Sequence, residues 1–473
     1  MQRVLLINPP ESGRGDYSTP PLGLLYLAAV LKKNSIAVDL VDGYIAGWDG
    51  IEKKIRQYRP TVVGITCHTY SRVKALKVAE AVKKADAKTL VVLGGAHATL
   101  MPRQLLEHYP FVDIVARGEG EITFLEICQG KELKDIQGIA YREGKVVRLN
   151  PERPLIVNLD ELPFPAWELL DIRKYPAEGS GACNGIDLEK EPCFPVVFSR
   201  GCIGRCIFCA DKLLWKRWRR RSAKNMVDEI GMLNKKYGAK RFNFNDDLFT
   251  ADRRAAKEVA EEITRSGLKI AFEIVSRADC IDPDLLAALK KAGCFKICFG
   301  IESASPEILK KMHKEVDVVM SEKAIAMTKT MGIRTSALLI VGNLGETRQT
   351  INETIDFLNR TRPDDVGLAN GLRVLPGTEL YEHAKKIGFI DDDFWLTDYH
   401  WKIFTAENSK TALNIFHDAL DKRKPLSPLA LVDAFKYHRY YWKAFEDLIK
   451  DALKGLGLLK RKKRKGKYEI AYR

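Results

Sequence analysis

Several things are scarce in this chain of 473 residues. No apolar run is long enough for a bilayer: the best near the start, Leu22 to Leu31, is about half the length needed. No secretory leader is recognisable, since MQRVLLINPP runs into Pro9 and Pro10 without a small-residue cleavage site. A cytoplasmic protein without membrane anchoring is therefore expected. No GxGxxG follows Ile7 and no GxxxxGK[ST] occurs anywhere, which weakens a dinucleotide site and excludes a P-loop. Cysteine stops at Cys298, leaving the last third without thiols. No repeat of solenoid type is present.

What is present is ordinary globular composition, 46% hydrophobic and 29% charged, in a chain too long for one core. The net charge is +15; seven of those charges lie in residues 460–467, leaving +8 for the rest. The excess is partly a basic tail, which either stays solvated or contacts anionic lipid or nucleic acid.

Short apolar runs alternate with helical patterns over residues 1–130. Strands are expected at Val4–Ile7, Val38–Val41, Thr61–Thr66, Thr89–Leu93 and Asp113–Ala116, with helices such as Leu22–Lys33 and Arg72–Lys84 between them. This alternation argues a doubly wound parallel sheet, whose ligands bind at the carboxyl ends of the strands. Small and special residues gather at those ends: Asn8-Pro9-Pro10, Asp42-Gly43, Thr66, Gly94-Gly95-Ala96-His97 and Arg117-Gly118-Glu119-Gly120-Glu121. A hairpin is expected at Ile139–Arg142 and Val146–Leu149. The proline-rich stretch Asn150–Pro165 reads as a linker.

A second strand–helix series begins at Phe194, with strands expected at Pro195–Ser199, Arg241–Asn245, Ala271–Val275, Lys296–Gly300, Thr335–Val341 and Gly367–Val374. Six such units suggest a partial or full barrel with its site at the carboxyl strand ends. After about residue 385 the pattern turns helical and aromatic. The expected α/β organisation is a first domain over 1–135, hairpin and linker over 136–190, a barrel over 191–385, and a helical cap with basic tail over 386–473.

The strongest signal is Cys202-Ile203-Gly204-Arg205-Cys206-Ile207-Phe208-Cys209, directly after a strand. Thiolates suit iron–sulfur clusters and zinc. A closed zinc site wants a fourth ligand, and no Cys or His follows until Cys280 and His313. Three ligands suit a four-iron cluster with one iron open to substrate; three buried small side chains are the plainer alternative. Cys294 and Cys298 share one face of a strand and read as core. Cys183 and Cys193 are too few for another cluster. Trp215-Lys216-Arg217-Trp218-Arg219-Arg220-Arg221 either covers the barrel rim, contacts a phosphate, or faces nucleic acid.

CxxxCxΦC, with Phe208 before the third cysteine, resembles the signature of the radical S-adenosylmethionine (SAM) superfamily. The resemblance spans residues 194–385. It implies a [4Fe–4S] cluster on Cys202, Cys206 and Cys209, and a SAM site drawn from Phe208, Asn245, Asp246, Asp247, Ser276, Arg277 and Glu302. Asn245, Asp246 and Asp247, followed by Phe249, stand where the superfamily holds the SAM amino group. Arg277 resembles the partner of the SAM carboxylate, and Glu302 a ribose contact; a surface pair of Arg277 with Asp279 is the alternative for the former. Val341-Gly342, Gly345-Glu346-Thr347 and the stretch from Pro376 to Tyr381 complete the order.

The first domain then resembles the cobalamin-binding domain of cobalamin-dependent radical SAM enzymes. The resemblance implies contacts from Asn8, Leu22, Gly23, Asp42, Thr66, Gly94, Gly95, His97, Gly118 and Glu119. The D-x-H-x-x-G motif that supplies a lower-axial histidine is absent, the nearest being Asp398-Tyr399-His400, so cobalamin is expected without that ligand. The implied function is methyl transfer to an unactivated carbon, or to phosphorus, of a small-molecule or lipid-like substrate. A flavodoxin- or ferredoxin-like protein would supply electrons. No catalytic residue is expected beyond those holding cluster and cofactors. A radical cyclase of the same family, and a nucleic-acid-binding protein with a structural cluster, are the alternatives.

Overall fold

The computed structural model describes residues 2–10, 19–176, 181–398 and 403–404. The expected helical cap and the basic tail lie almost wholly outside these residues.

The first sheet has seven strands: β1 (Arg3–Asn8), β2 (Ala37–Asp42), β3 (Val62–Thr66), β4 (Leu90–Gly94), β5 (Ile114–Ala116), β6 (Ile139–Glu143) and β7 (Val146–Leu149), in the order β2-β1-β3-β4-β5-β6-β7. The first five pair in parallel. Val4 to Ile7 show no exposed surface, as befits a strand covered by helices on both faces. The chain leaves β1 toward β2 on one side and β3 lies on the other, so the order reverses there and opens a crevice at the carboxyl ends.

The hairpin assigned above to the connecting segment instead extends this sheet. β6 pairs antiparallel with β5, and β7 with β6. Its inward residues Ile139, Ala140 and Tyr141 are buried, and that burial secures the pairing. The proline-rich stretch is likewise no free hinge. Leu159, Leu162, Trp167, Ile172 and Tyr175 join one apolar cluster that runs from the first sheet into the barrel. Trp167 packs edge-on against Phe194, 5.3 Å between ring centres.

The second sheet has six parallel strands in sequence order: Cys193–Val196, Arg241–Phe244, Ala271–Ser276, Cys294–Glu302, Arg334–Val341 and Asp365–Asn370. The outer strands are not paired with each other, which makes this a partial barrel. Its helices start where side chains cap them: Asp252 accepts from Ala255 N–H at 3.1 Å and Asp282 from Leu285 N–H at 2.8 Å. Two of them end on Gly267 and Gly293 in the left-handed conformation. Such punctuation makes this half readable from sequence. Among the described residues no helix is long and apolar enough to cross a membrane.

Candidate active site

The cysteine loop leaves a two-residue ribbon. Ser199–Arg200 pairs antiparallel with Arg219–Arg220, and the loop lies between them. Ile207 anchors it on both sides: its N–H donates to the Met312 carbonyl at 3.1 Å, and its carbonyl accepts from Leu380 N–H at 3.0 Å. Phe208 packs against the apolar cluster around Ile207 and Met312. Cys209 N–H donates to the Cys206 carbonyl at 3.2 Å, and Gly204 N–H to Cys202 Sγ at 3.3 Å.

All three thiols are half-buried, and burial pushes each above the ordinary thiol range; for Cys202 the Gly204 N–H, Arg277 and Lys314 work against this. A bound cation is what would turn them into thiolates. Among the described residues no three Cys, His, Asp or Glu side chains converge as ligands of a single ion would. An iron–sulfur cluster makes no such demand, because each thiolate meets a different iron. Of the two later candidates for a fourth ligand, Cys280 is buried with its thiol 3.5 Å from Asp279, and His313 faces Glu379 at 3.5 Å.

Arg277 ends beside this loop. Its Nε and Nη2 donate to the two carboxylate oxygens of Asp279, both at 2.9 Å, and Nη2 also reaches the Glu315 carbonyl at 3.2 Å. The pair with Asp279 is therefore real but buried on the arginine side. Nη1 is turned toward the cysteines: a Cβ built on Gly204 would lie 3.0 Å from it and 3.4 Å from Cys202 Sγ. Glycine at 204 thus keeps open the space between guanidinium and thiol.

Glu302 closes the fourth strand in a left-handed conformation, φ 64°, next to a register shift between Gly300 and Glu302. A non-glycine residue held there signals local strain, and the irregularity re-aims its side chain. Its Oε1 accepts from Lys314 Nζ at 3.2 Å, with both side chains largely buried. Lys314 lies close enough to Cys202 and Cys206 to draw their thiols toward ionisation. Sequence reasoning missed Lys314, because it sits in a loop with no motif around it.

The aspartate pair splits in role. Asp246 is buried and accepts from Phe198 N–H at 3.3 Å and from both Ser199 N–H and Ser199 Oγ at 2.5 Å. It is engaged by the strand entering the cysteine loop. Burial still raises its carboxyl to about 6. Asp247 and Asn245 are open to solvent. Asp247 accepts from Gly201 N–H at 3.2 Å, and its carboxyl is raised first by desolvation and then by Asp211. An ammonium group is the ligand that would relieve that repulsion. Ser276 is buried and bonded to Thr250 Oγ1 at 2.6 Å.

Asn8, Thr66 and Gly94 close their strands at the carboxyl ends of the first sheet, Gly118 follows β5, and Gly23 lies in the first turn of the helix Leu22–Lys33. A Cβ on Gly23 or Gly118 would meet nothing within 4 Å. Thr99, which the sequence did not flag, ties two glycine loops by donating to Gly95 O at 2.9 Å and accepting from Gly118 N–H at 3.0 Å.

Five of the expected contacts on this side are already engaged by the protein itself. Leu22 lies in the apolar core. Asp42 is buried, capping Tyr44 N–H at 3.0 Å while accepting from Asn8 Nδ2 at 2.9 Å and from the Tyr175 hydroxyl. Gly95 has φ 97° and packs so closely that a Cβ would lie 3.1 Å from the Cys67 carbonyl, so the chain itself requires glycine there. His97 has no exposed surface and lies against Trp395. Glu119 is buried in ion pairs with Arg200 at 2.6 Å and Arg219 at 3.0 Å. In the stretch Trp215–Arg221, Arg219 and Arg221 are buried, Arg221 beside Glu229, while Lys216 and Arg217 are exposed.

Fold and site together define an iron–sulfur type of partial barrel fused to a doubly wound cofactor-binding sheet. Comparison with known proteins names both parts. The B12 binding domain family matches residues 14–128, and the Radical SAM superfamily matches residues 196–358. An uncharacterized methyltransferase of Pyrococcus horikoshii is 33% identical over 476 residues, covering 96% of this chain and 98% of that protein. The anaerobic magnesium-protoporphyrin IX monomethyl ester cyclase of Rubrivivax gelatinosus is 33% identical over 380 residues, 76% of this chain and 66% of that protein. Among solved structures, the radical SAM methyltransferase TsrM of Kitasatospora setae with cobalamin and a [4Fe–4S] cluster bound superposes with TM-score 0.67 at 20% identity, over 82% of this chain and 75% of that one. The chain belongs to the cobalamin-dependent radical SAM family.

Proposed function

We propose that this chain is a methyltransferase that places a methyl group on an unactivated carbon, or on phosphorus, of a small-molecule or lipid-like substrate. The observation that carries this reading is the match along 98% of a methyltransferase's length, against 66% of the cyclase's. Bound together, cluster and SAM supply a 5′-deoxyadenosyl radical, and cobalamin supplies the methyl group.

The residues present fit these roles. Cys202, Cys206 and Cys209 hold the cluster, with Phe208 seating their loop. Arg277 Nη1 and the ammonium of Lys314 take the SAM carboxylate, Asn245 and Asp247 the amino group, and Glu302 the ribose hydroxyls. Asn8, Gly23, Thr66, Gly94 and Gly118 form the cobalamin face, without a histidine on cobalt. Residues 1–135 carry that face and 191–385 the barrel. A flavodoxin- or ferredoxin-like protein delivers the electron.

The test is product analysis. Anaerobically reconstituted, cobalamin-loaded protein given SAM and reductant should yield S-adenosylhomocysteine and a methylated cobalamin. Deoxyadenosine alone, with cobalamin never methylated, would favour the cyclase and overturn the proposal.

A further inference from the structure

Four buried charges join the two cofactor loops. Arg200 immediately precedes Gly201 and Cys202. Its Nη1 donates to Glu119 and its Nη2 to Glu121, each at 2.6 Å. Both glutamates lie just after Gly118 at the end of β5. The rings of Tyr26, from the first domain, and Trp215, from the cluster side, lie 5.6 and 5.7 Å from the same guanidinium. Arg219, on the other arm of the ribbon, donates to both oxygens of Glu119 at 3.0 Å and to the Ile156 carbonyl at 2.6 Å. The four side chains are between 3% and 10% exposed.

Stability does not explain this set. Removing four charges from water is costly, and apolar side chains of similar volume hold two bodies together at least as well. Arg219 makes the cost plainer, since its Nε and Nη2 are buried without partners among the described residues. What apolar contact lacks is direction. A guanidinium forked between two carboxylates fixes both separation and angle.

We infer that Arg200 is a positioning residue: gripping Glu119 and Glu121, it sets the register of the cobalamin-binding loop against the cluster loop. The inference rests on the functional reading above. That reaction needs a substrate facing both cofactors at once, and an ångström of misplacement there costs up to about a hundredfold in rate.

The test uses holoenzyme with two variants. Arg200→Lys keeps the charge but cannot fork to two carboxylates, and Glu121→Gln removes one arm from the opposite side. Both should retain wild-type iron and cobalamin. The magnetic dipolar coupling between Co(II) and the reduced cluster, read by pulsed EPR, should broaden or shift in both. A spectrum identical to wild type in both variants overturns the inference, and so does loss of a single cofactor, which would make Arg200 part of one site only. Hydrogen exchange on the cofactor-free chain gives an independent reading. Residues 117–121 and 199–201 should lose protection together while the strands keep theirs; loss spread over the whole chain would make the set merely structural. If the wild-type chain takes up no cobalamin, the functional reading fails, and the exchange result still decides the coupling.

Discussion

His97 stands edge-on to Trp395, with ring centres 5.7 Å apart and planes inclined at 67°. Trp395 belongs to the segment after the barrel and is held there by Arg72, which donates to its carbonyl at 3.1 Å and stacks over its ring at 5.2 Å. The imidazole is thus sealed between the first sheet and the chain returning from the second. Burial first, then the charge of Arg72 and the neighbouring His68, lower its pKa to about 3. The unfolded chain takes up a proton near 6.5 and the folded chain does not until about 3, so stability is full above 6.5 and falls as pH drops through that window. The loss by the acid end is on the order of 5 kcal/mol. Between pH 7.5 and 4.5, His97→Gln should lose less stability to denaturant than wild type does, the remaining acid loss including that of buried His68. Equal slopes in the two proteins would refute the sealed, neutral histidine.

Iron content is the simplest check on the loop. Replacing Cys202, Cys206 and Cys209 together by Ala should abolish an oxygen-labile cluster of about four irons per chain. Cys280→Ala should leave it, because that thiol is engaged with Asp279. Four irons surviving in the triple variant would mean that other cysteines are the ligands.

Arg277 can be separated from its own support. Arg277→Ala removes the Nη1 that faces the cysteines, and SAM affinity should fall by about ten- to a hundredfold, the worth of a charge-assisted contact of roughly 1.5–3 kcal/mol. Asp279→Asn should cost less, since it loosens the guanidinium without removing it. Equilibrium binding of SAM to the reconstituted protein measures both. Unchanged affinity in Arg277→Ala would reduce the residue to a structural ion pair.

The elements of both sheets were legible because their signals are local. Val4–Ile7 is a continuous apolar run, and Asp252 and Asp282 precede their helices with no competing pattern. The triplet from Cys202 to Cys209 was legible for the same reason: spacing within eight residues survives without knowledge of the fold. What the sequence could not tell was which polar groups the protein keeps for itself. Asp246 and Asp247 are adjacent, yet one faces Ser199 and the other solvent, a difference set by where a neighbouring strand begins. Glu119 sits among glycines that resemble a ligand loop, and its partners Arg200 and Arg219 lie 81 and 100 residues away. Lys314 was invisible because only the turn after the helix Pro306–Lys311 brings it to Glu302.

Cobalamin binding is best tested where a new side chain touches no protein atom. Gly95 is unsuitable: with φ 97° and the Cys67 carbonyl so near, a side chain there would disturb the loop whether or not a ligand binds. Gly23 is exposed in the first turn of its helix, and a Cβ there meets nothing within 4 Å. Gly23→Phe therefore adds bulk only to the open face, and replacing a helical glycine should if anything favour the fold, by up to about 0.5 kcal/mol. The expected result is a protein of unchanged or slightly raised melting temperature that keeps its iron and no longer retains cobalamin on gel filtration. Gly231→Phe, in the helix Ala223–Tyr237 with nothing within 4 Å of an added Cβ and an ordinary helical φ, serves as the control and should retain cobalamin. Full cobalamin retention in Gly23→Phe would move the corrin away from the helix Leu22–Lys33 and leave the crevice between β1 and β3 without its proposed ligand.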